Sequence, residues 1–408
     1  MGCDQSATFS AMDITLPSMF WPSKPPAHLK VCGTNEYAQL IASSNRSTQF
    51  ERCICPPLSA EIDVNDLLSF SIYLGCAVYV TKSGQAFIKG CFKVFNKDPQ
   101  EVKFSELPDE KFKCAVTGYD YILYLTENDS IVFQHRKLEG DHIIFTLENE
   151  RKPVSLFGGK EYCVVIDNAG DMYLFSRQTV LTKEYNFIHM NEPAKMVACC
   201  RERMFVLSTN GKVFWRKNFT DSYDNLNSSF NSLSFNSSSI SSTINVDSGL
   251  LIDYSEEENS GFIEVDGLQD IIIKSISGIY DHCVAISSDA TAYGIGNELS
   301  HKFGHEPLVS NEKFVKISTM EGKRINYASA GTDHTLFITE KGELFACGRN
   351  DSGNLFQEEI GEGEETIVPV QVVFGDDDEI TYAVAGENLS AAFLNCDPPI
   401  YGPNKALL

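Results

Sequence analysis

Six segments of this chain repeat one pattern: an apolar run, a short polar turn, then a second apolar run. They are YVTKSGQAFIKG (79–90), LYLTENDSIVFQ (123–134), VVIDNAGDMYLF (164–175), FVLSTNGKVFWR (205–216), VAISSDATAYGIG (284–296) and TLFITEKGELFACG (335–348). Aligned on the turn residues Gly84, Asp129, Gly170, Gly211, Ala290 and Gly342, they lie 45, 41, 41, 79 and 52 residues apart. A seventh half-copy, AVAGENLSAAFLN, occupies 383–395. Self-similarity at this period marks a repeat architecture, because one supersecondary unit cannot bury its apolar surface alone and must stack on its neighbours.

Each copy has the chemistry of a β-hairpin. Both arms are rich in β-branched and aromatic residues, as pleated strands prefer. The linking turns carry Asn, Asp or Gly, which tolerate the left-handed backbone of a tight hairpin loop. The arms are apolar at nearly every position, so both faces of each sheet must be covered. Sheets packed face to face around an axis meet that requirement, and no helical periodicity competes with it. The reading is an all-β, seven-bladed β-propeller of four-stranded antiparallel blades.

The residues after the second arm narrow the type. CGRNDSGNLF (347–356), GIGNELSHKFG (294–304) and VCGTNEYAQL (31–40) share an exit in which Asn follows a glycine by one or two residues, and the copy at 330–355 adds Gly-x-x-His-Thr before its first arm. This combination resembles the regulator of chromosome condensation repeat. Trp-Asp and Gly-Gly-aromatic signatures of other propellers are absent. In the second to fourth copies the exit glycine gives way to His135, Ser176 and Arg216, which makes the chain a divergent member.

The ends complement each other. Residues 31–40 have an exit without a preceding arm, and 383–395 have an arm without an exit, so N- and C-terminal strands are expected to share the seventh blade and close the ring. Residues 398–404 offer a competing exit, but the prolines there remove ladder donors. The expected organisation is a flexible tail over 1–28, a propeller over 29–397 and a C-terminal tail over 398–408. An insertion interrupts the propeller at about 218–262: fifteen of the 27 residues over 221–247 are Ser or Asn. Such a segment cannot offset its ordering entropy by burial and reads as disordered.

Composition limits the partners. The formal net charge is -23, a field that repels phosphate backbones and argues against nucleic-acid binding. The 13 cysteines are scattered, mostly inside apolar runs such as those holding Cys76, Cys114, Cys163, Cys283 and Cys347. They read as small buried hydrophobes, with neither disulfide nor zinc spacing. His282 and His334 invite a catalytic reading, yet the aligned residues are Cys76, Tyr121, Tyr162 and Arg203. A role that any of these fills is packing or hydrogen bonding. No phosphate-binding loop, zinc-protease motif or nucleophile elbow occurs, so no catalytic, cofactor or metal residue is assigned.

The family resemblance implies protein recognition on the propeller faces. Its founding activity is nucleotide exchange on the small GTPase Ran, performed with a projecting hairpin that the early copies here lack. With only Trp21 and Trp215, the light sensing of a tryptophan-rich plant relative is not expected. The leading function is a non-enzymatic interaction scaffold, monomeric and without cofactor; the alternative is a guanine-nucleotide exchange factor for a small GTPase of the Ran or Rab type. MGCDQS at the start matches an N-myristoylation signal on Gly2, with Cys3 placed for a second acyl chain. That reading puts the protein in the cytoplasm, at the cytoplasmic face of a membrane, rather than in the nucleus. Ser255, before three glutamates, is a candidate phosphorylation site in an apolar-then-acidic stretch that could dock on a partner.

Overall fold

The computed structural model describes residues 27–33, 63–73, 75–92, 95–136, 142–176, 185–217, 261–296, 300–304, 311–357, 364–375 and 378–400. They form 27 strands in seven antiparallel sheets. Blade 1 holds β2 (Leu67–Tyr73), β3 (Cys76–Thr81), β4 (Ala86–Cys91) and β5 (Phe95–Glu101). Blade 2 holds β6 (Phe112–Thr117), β7 (Tyr121–Thr126), β8 (Ile131–His135) and β9 (Ile143–Phe145). Blade 3 holds β10 (Pro153–Gly158), β11 (Tyr162–Asp167), β12 (Met172–Ser176) and β13 (Asn186–Ile188). Blade 4 holds β14 (Ala194–Cys199), β15 (Arg203–Ser208), β16 (Val213–Lys217) and β17 (Ile263–Glu264). Blade 5 holds β18 (Ile273–Gly278), β19 (His282–Ser287), β20 (Ala292–Gly296) and β21 (Asn311–Lys316). Blade 6 holds β22 (Ile325–Ala330), β23 (His334–Thr339), β24 (Leu344–Arg349) and β25 (Glu365–Val372). Blade 7 joins β26 (Ile380–Ala385) and β27 (Leu389–Leu394) to β1 (His28–Gly33).

The first strands of successive blades touch in an unbroken circle, β2 to β6, β10, β14, β18, β22, β26 and back to β2. They line the axis, and the core lies between blades, as the nearly all-apolar arms require. All seven blades repeat one irregularity: a register shift near the start of the innermost strand, from Leu67/Ser69 through Ile380/Tyr382. Seven identical bulges establish seven copies of one unit more firmly than the turn residues do.

The ring closes as the complementary ends imply. β1 pairs antiparallel with β27, with Leu29 opposite Phe393 and Val31 opposite Ala391. Leu29 and Val31 pack with Leu67, Phe70 and Ile72 of blade 1, while Cys32 faces the cluster shared with blade 6. The competing exit carries no strand in its described part, 398–400.

The exit glycine explains why blades 2–4 look divergent. Gly90, Gly296 and Gly348 have φ of 102°, 125° and 106°, and each sits beside a register shift between the third and fourth strands. At Gly348 an added Cβ would lie 2.3 Å from Asp333 O. The outer strands after these glycines run 7, 6 and 8 residues; those of blades 2–4 run 3, 3 and 2. Without a glycine the chain cannot turn over the neighbouring loop and pair far along the blade. The ladder corrects one alignment: Arg203 faces Lys217, so Lys217 rather than Arg216 replaces the glycine in blade 4.

Nine of the described cysteines are buried thiols, the adjacent Cys199 and Cys200 included. Burial pushes the Cys114 thiol up to about 12 and those of Cys163 and Cys199 well above the ordinary range, which removes them as nucleophiles. Gly2, Cys3, Ser255 and the Ser/Asn-rich stretch lie outside the described residues.

Candidate functional site: the axial turns

In five blades the residue that opens the second strand ties its blade to the next. Cys76 Sγ meets Thr117 Oγ1 at 3.0 Å, the Tyr121 hydroxyl donates to Gly159 O at 2.7 Å, and the Tyr162 hydroxyl to Cys200 O at 3.0 Å. His282 Nε2 pairs with Thr335 Oγ1 at 3.1 Å, and His334 Nε2 with Ser390 Oγ at 2.9 Å. Burial holds the His334 imidazole down at about 3, so it stays neutral near pH 7 and is no general acid or base. Both histidines serve as buried hydrogen-bonding links between blades.

The turns between first and second strands converge at the axis. They read Gly118-Tyr-Asp-Tyr121, Gly159-Lys-Glu-Tyr162, Cys200-Arg-Glu-Arg203, Ile279-Tyr-Asp-His282, Gly331-Thr-Asp-His334 and Gly386-Glu-Asn-Leu389. Backbone bonds knit neighbours together: Tyr119 N to Lys160 O at 3.1 Å, Arg201 N to Tyr280 O at 2.6 Å, Thr332 N to Gly386 O at 3.2 Å. The glycines allow this approach; a Cβ on Gly331 would lie 2.6 Å from Gly386 O. Because adjacent strands alternate in direction, the connections between third and fourth strands emerge at this same end. The interval from Lys217 to Ile263 is one of them.

Two kinds of surface meet here. Lys160 Nζ lies 5.1 Å from the Tyr280 ring centre and 5.8 Å from that of Tyr119, and the Arg201 guanidinium lies 5.7 Å from Tyr280. Tyr119 is 48% exposed, so blades 2 to 5 present a cationic, aromatic row. The rest is acidic. Asp281 and Asp333 share the buried Lys302 ammonium at 2.5 and 3.0 Å, and Asp120 meets His135 at 3.1 Å.

Between blades 6, 7 and 1 the turns leave polar atoms unpaired. Tyr73 Oη, Thr332 Oγ1 and Glu387 Oε2 are all shielded from solvent without a hydrogen-bond partner. Burial, then the Glu387 carboxylate, pushes the Tyr73 phenol well above its usual range; Thr332 faces that phenol without closing a bond of normal geometry. Burial raises the Glu387 carboxyl too, with Asp333 adding to it and Lys160 opposing it. An unpaired buried polar group costs about 1–3 kcal/mol, so folding alone does not account for three in one place.

A second polar cluster, in blade 3, is complete by contrast. Arg151 reaches Asp167 and Asp171 at 3.0 and 2.6 Å, His189 Nδ1 reaches Asp171 at 2.6 Å, and the Tyr173 hydroxyl donates to Asp167 at 3.0 Å. Every carboxylate there has a partner, which marks it as structural. Among the described residues no group of three or more His, Cys, Asp or Glu is arranged to hold a metal.

Comparison with known proteins matches one blade to a repeat family and the whole ring to a known fold. The regulator of chromosome condensation repeat model matches residues 327–354, which span blade 6 from its first strand to the exit asparagines. The structure superposes on Prp20p of Saccharomyces cerevisiae, described with its binding to Gsp1p and histones, at a TM-score of 0.67 and 12% identity, over 91% of this chain and 92% of that one. Blade 6 thus matches the regulator of chromosome condensation repeat, and the seven-bladed fold is the one seen in Prp20p. Human WBSCR16 has the same fold at a TM-score of 0.66 and 14% identity, over 91% of this chain and 99% of the other. In sequence, the repeat propeller is 27% identical over 124 residues to the ultraviolet-B receptor of Arabidopsis thaliana, covering 30% of this chain and 28% of the receptor. It is 30% identical over 96 residues to the X-linked retinitis pigmentosa GTPase regulator homologue of Caenorhabditis elegans, covering 24% of this chain and 7% of that protein. The chain thus spans under a third of the length of these curated relatives.

Reading the sequence for catalytic types passed over the turn residues of this repeat propeller. A signal was present: an acid precedes the second strand in five copies, at Asp120, Glu161, Glu202, Asp281 and Asp333. The residue before it, one step further in, varies freely.

Proposed function

We propose that this repeat propeller is a non-enzymatic protein-recognition platform whose partner docks on the axial end. The observation that carries the reading is the convergence of exposed Tyr119, the Lys160–Tyr280–Arg201 row and three unpaired buried oxygens at the one end where the turns meet. Mixed-charge surfaces with aromatic anchors suit protein partners. The platform works as a monomer without a cofactor and does not bind nucleic acid, in keeping with the net charge of -23. Residues 1–28 serve as a tail that, acylated on Gly2 and Cys3, holds the propeller 29–397 at the cytoplasmic face of a membrane; 398–408 form a C-terminal tail. Ser255, when phosphorylated, regulates docking by the acidic stretch beside it.

The test is partner capture from native extract with matched variants. Tyr119→Ala with Arg201→Glu should lose a partner that Lys82→Glu, at the opposite end, retains. Equal capture by both would overturn the reading. A second reading, nucleotide exchange on a small GTPase, is favoured by the likeness to Prp20p. It predicts accelerated release of a fluorescent guanine nucleotide from one of a panel of small GTPases, again lost with Tyr119→Ala and Arg201→Glu.

A further inference from the structure

We propose that Tyr73, Thr332 and Glu387 form a receptor for the ammonium group of a lysine side chain presented by a protein partner. The inference deepens the platform reading and rests on it. Three unpartnered oxygens come from three neighbouring blades, a phenol, an aliphatic hydroxyl and a carboxylate, and the Tyr73 phenol senses both Glu387 and Thr332. Tyr73 is 1% exposed and Thr332 8%, so neither side chain reaches bulk water. Gly386, which precedes Glu387, is bonded through its carbonyl to Thr332 N and backs onto Ile72 O, the residue before Tyr73. The backbone therefore fixes the three side chains together.

Charge decides what belongs there. A water molecule would satisfy the hydroxyls and leave the carboxylate uncompensated. The nearby cations are engaged elsewhere: Lys302 is held by Asp281 and Asp333, and Lys160 rests on the Tyr119 and Tyr280 rings. A cation from outside is what the cluster lacks. An ammonium, with three N–H donors on a compact head, matches three single oxygens; the planar guanidinium fork of arginine matches paired carboxylate oxygens. Glu387 is partly exposed at the axial mouth with one oxygen turned inward, so the entering side chain meets the carboxylate first.

Saturation-transfer NMR on the full chain tests this with three blocked tripeptides: Gly-Lys-Gly, Gly-Nε-acetyl-Lys-Gly and Gly-Arg-Gly. Saturation should reach the lysine δ- and ε-methylenes, and acetylation should weaken binding roughly tenfold or more, as loss of a charge-assisted hydrogen bond does. Glu387→Gln, nearly isosteric, should reduce the lysine signal to that of the acetylated peptide without lowering Tm. Thr332→Val should weaken it, and Glu321→Gln, exposed at the opposite end, should leave it unchanged. Equal signals from lysine and acetyl-lysine, equal signals from lysine and arginine, or full binding by Glu387→Gln would each overturn the proposal. If they do while Tyr119→Ala with Arg201→Glu still abolishes partner capture, the platform stands and this receptor falls. Loss of both would remove the platform as well.

Discussion

The sharpest test of the architecture is the single strand that closes the ring. β1 contributes three side chains that are at most 1% exposed: Leu29, Val31 and Cys32. Full burial of an apolar side chain is worth about 1.5–3 kcal/mol, so removing residues 1–33 forfeits roughly 4.5–9 kcal/mol before the lost ladder with β27 is counted. That is comparable to the whole stability of an ordinary domain, about 5–15 kcal/mol. The truncated chain should therefore fail to fold or aggregate through the bared edge of β27. Leu29→Ala is the graded version and should cost about 2–5 kcal/mol in urea unfolding followed by tryptophan fluorescence. Lys30→Ala, partly exposed on the same strand, should cost no more than about 0.5 kcal/mol. Equal midpoints for the two variants, or a truncation that unfolds like the full chain, would refute the closure argument.

Two further outcomes follow from the same geometry. Gly348→Ala places a Cβ 2.3 Å from Asp333 O at φ 106°, whereas Gly322→Ala meets nothing within 4 Å at φ 81°; Gly348→Ala should be the more destabilising by about 1–3 kcal/mol, read by urea unfolding. His334 has a folded pKa near 3 against about 6.5 unfolded, so the unfolded chain binds the extra proton. Its contribution is complete above pH 6.5 and is lost at about 1.4 kcal/mol per pH unit as the pH falls toward 3. Unfolding at pH 7 and pH 5 should show this slope in the native chain and a shallower one in His334→Gln; identical slopes would contradict a buried neutral imidazole.

The architecture was legible because every blade must solve the same packing problem with the same residue types. Turn residues Gly84, Asp129, Gly170, Gly211, Ala290 and Gly342 all have positive φ, as their alignment required. The shared seventh blade was legible for the same reason: a half-repeat at each end has unpaired edges that only the other end supplies. What the pattern did not reveal was local. The alignment placed Arg216 where Lys217 stands, because an apolar-run match does not fix register to one residue. The inward bulge of each first strand left no trace either, since the bulged residues are ordinary ones such as Leu68 and Lys113. The axial cluster was missed because its members come from three blades. Tyr73 lies 259 positions before Thr332 and Glu387 55 after it, and nothing in any one repeat distinguishes them.

Within the four-residue axial turn, folding uses three positions and leaves one. In Gly331-Thr332-Asp333-His334, the glycine lets the turn approach blade 7, Asp333 holds Lys302, and His334 bonds Ser390. Thr332 contributes only its backbone. In Gly118-Tyr119-Asp120-Tyr121, the outer members again pack and bridge, Asp120 meets His135, and the Tyr119 ring stays half exposed. In Gly386-Glu387-Asn388-Leu389, Leu389 is buried, Gly386 packs against Ile72, and the inward oxygen of Glu387 is without a partner. The second position thus reads Tyr, Lys, Arg, Tyr, Thr and Glu in successive turns without disturbing the blade that carries it. A position free to vary in charge, size and polarity, while its three neighbours hold the ring, is where a repeat fold can acquire a partner without losing its structure. Substitutions there should change what the propeller binds far more than how stably it folds.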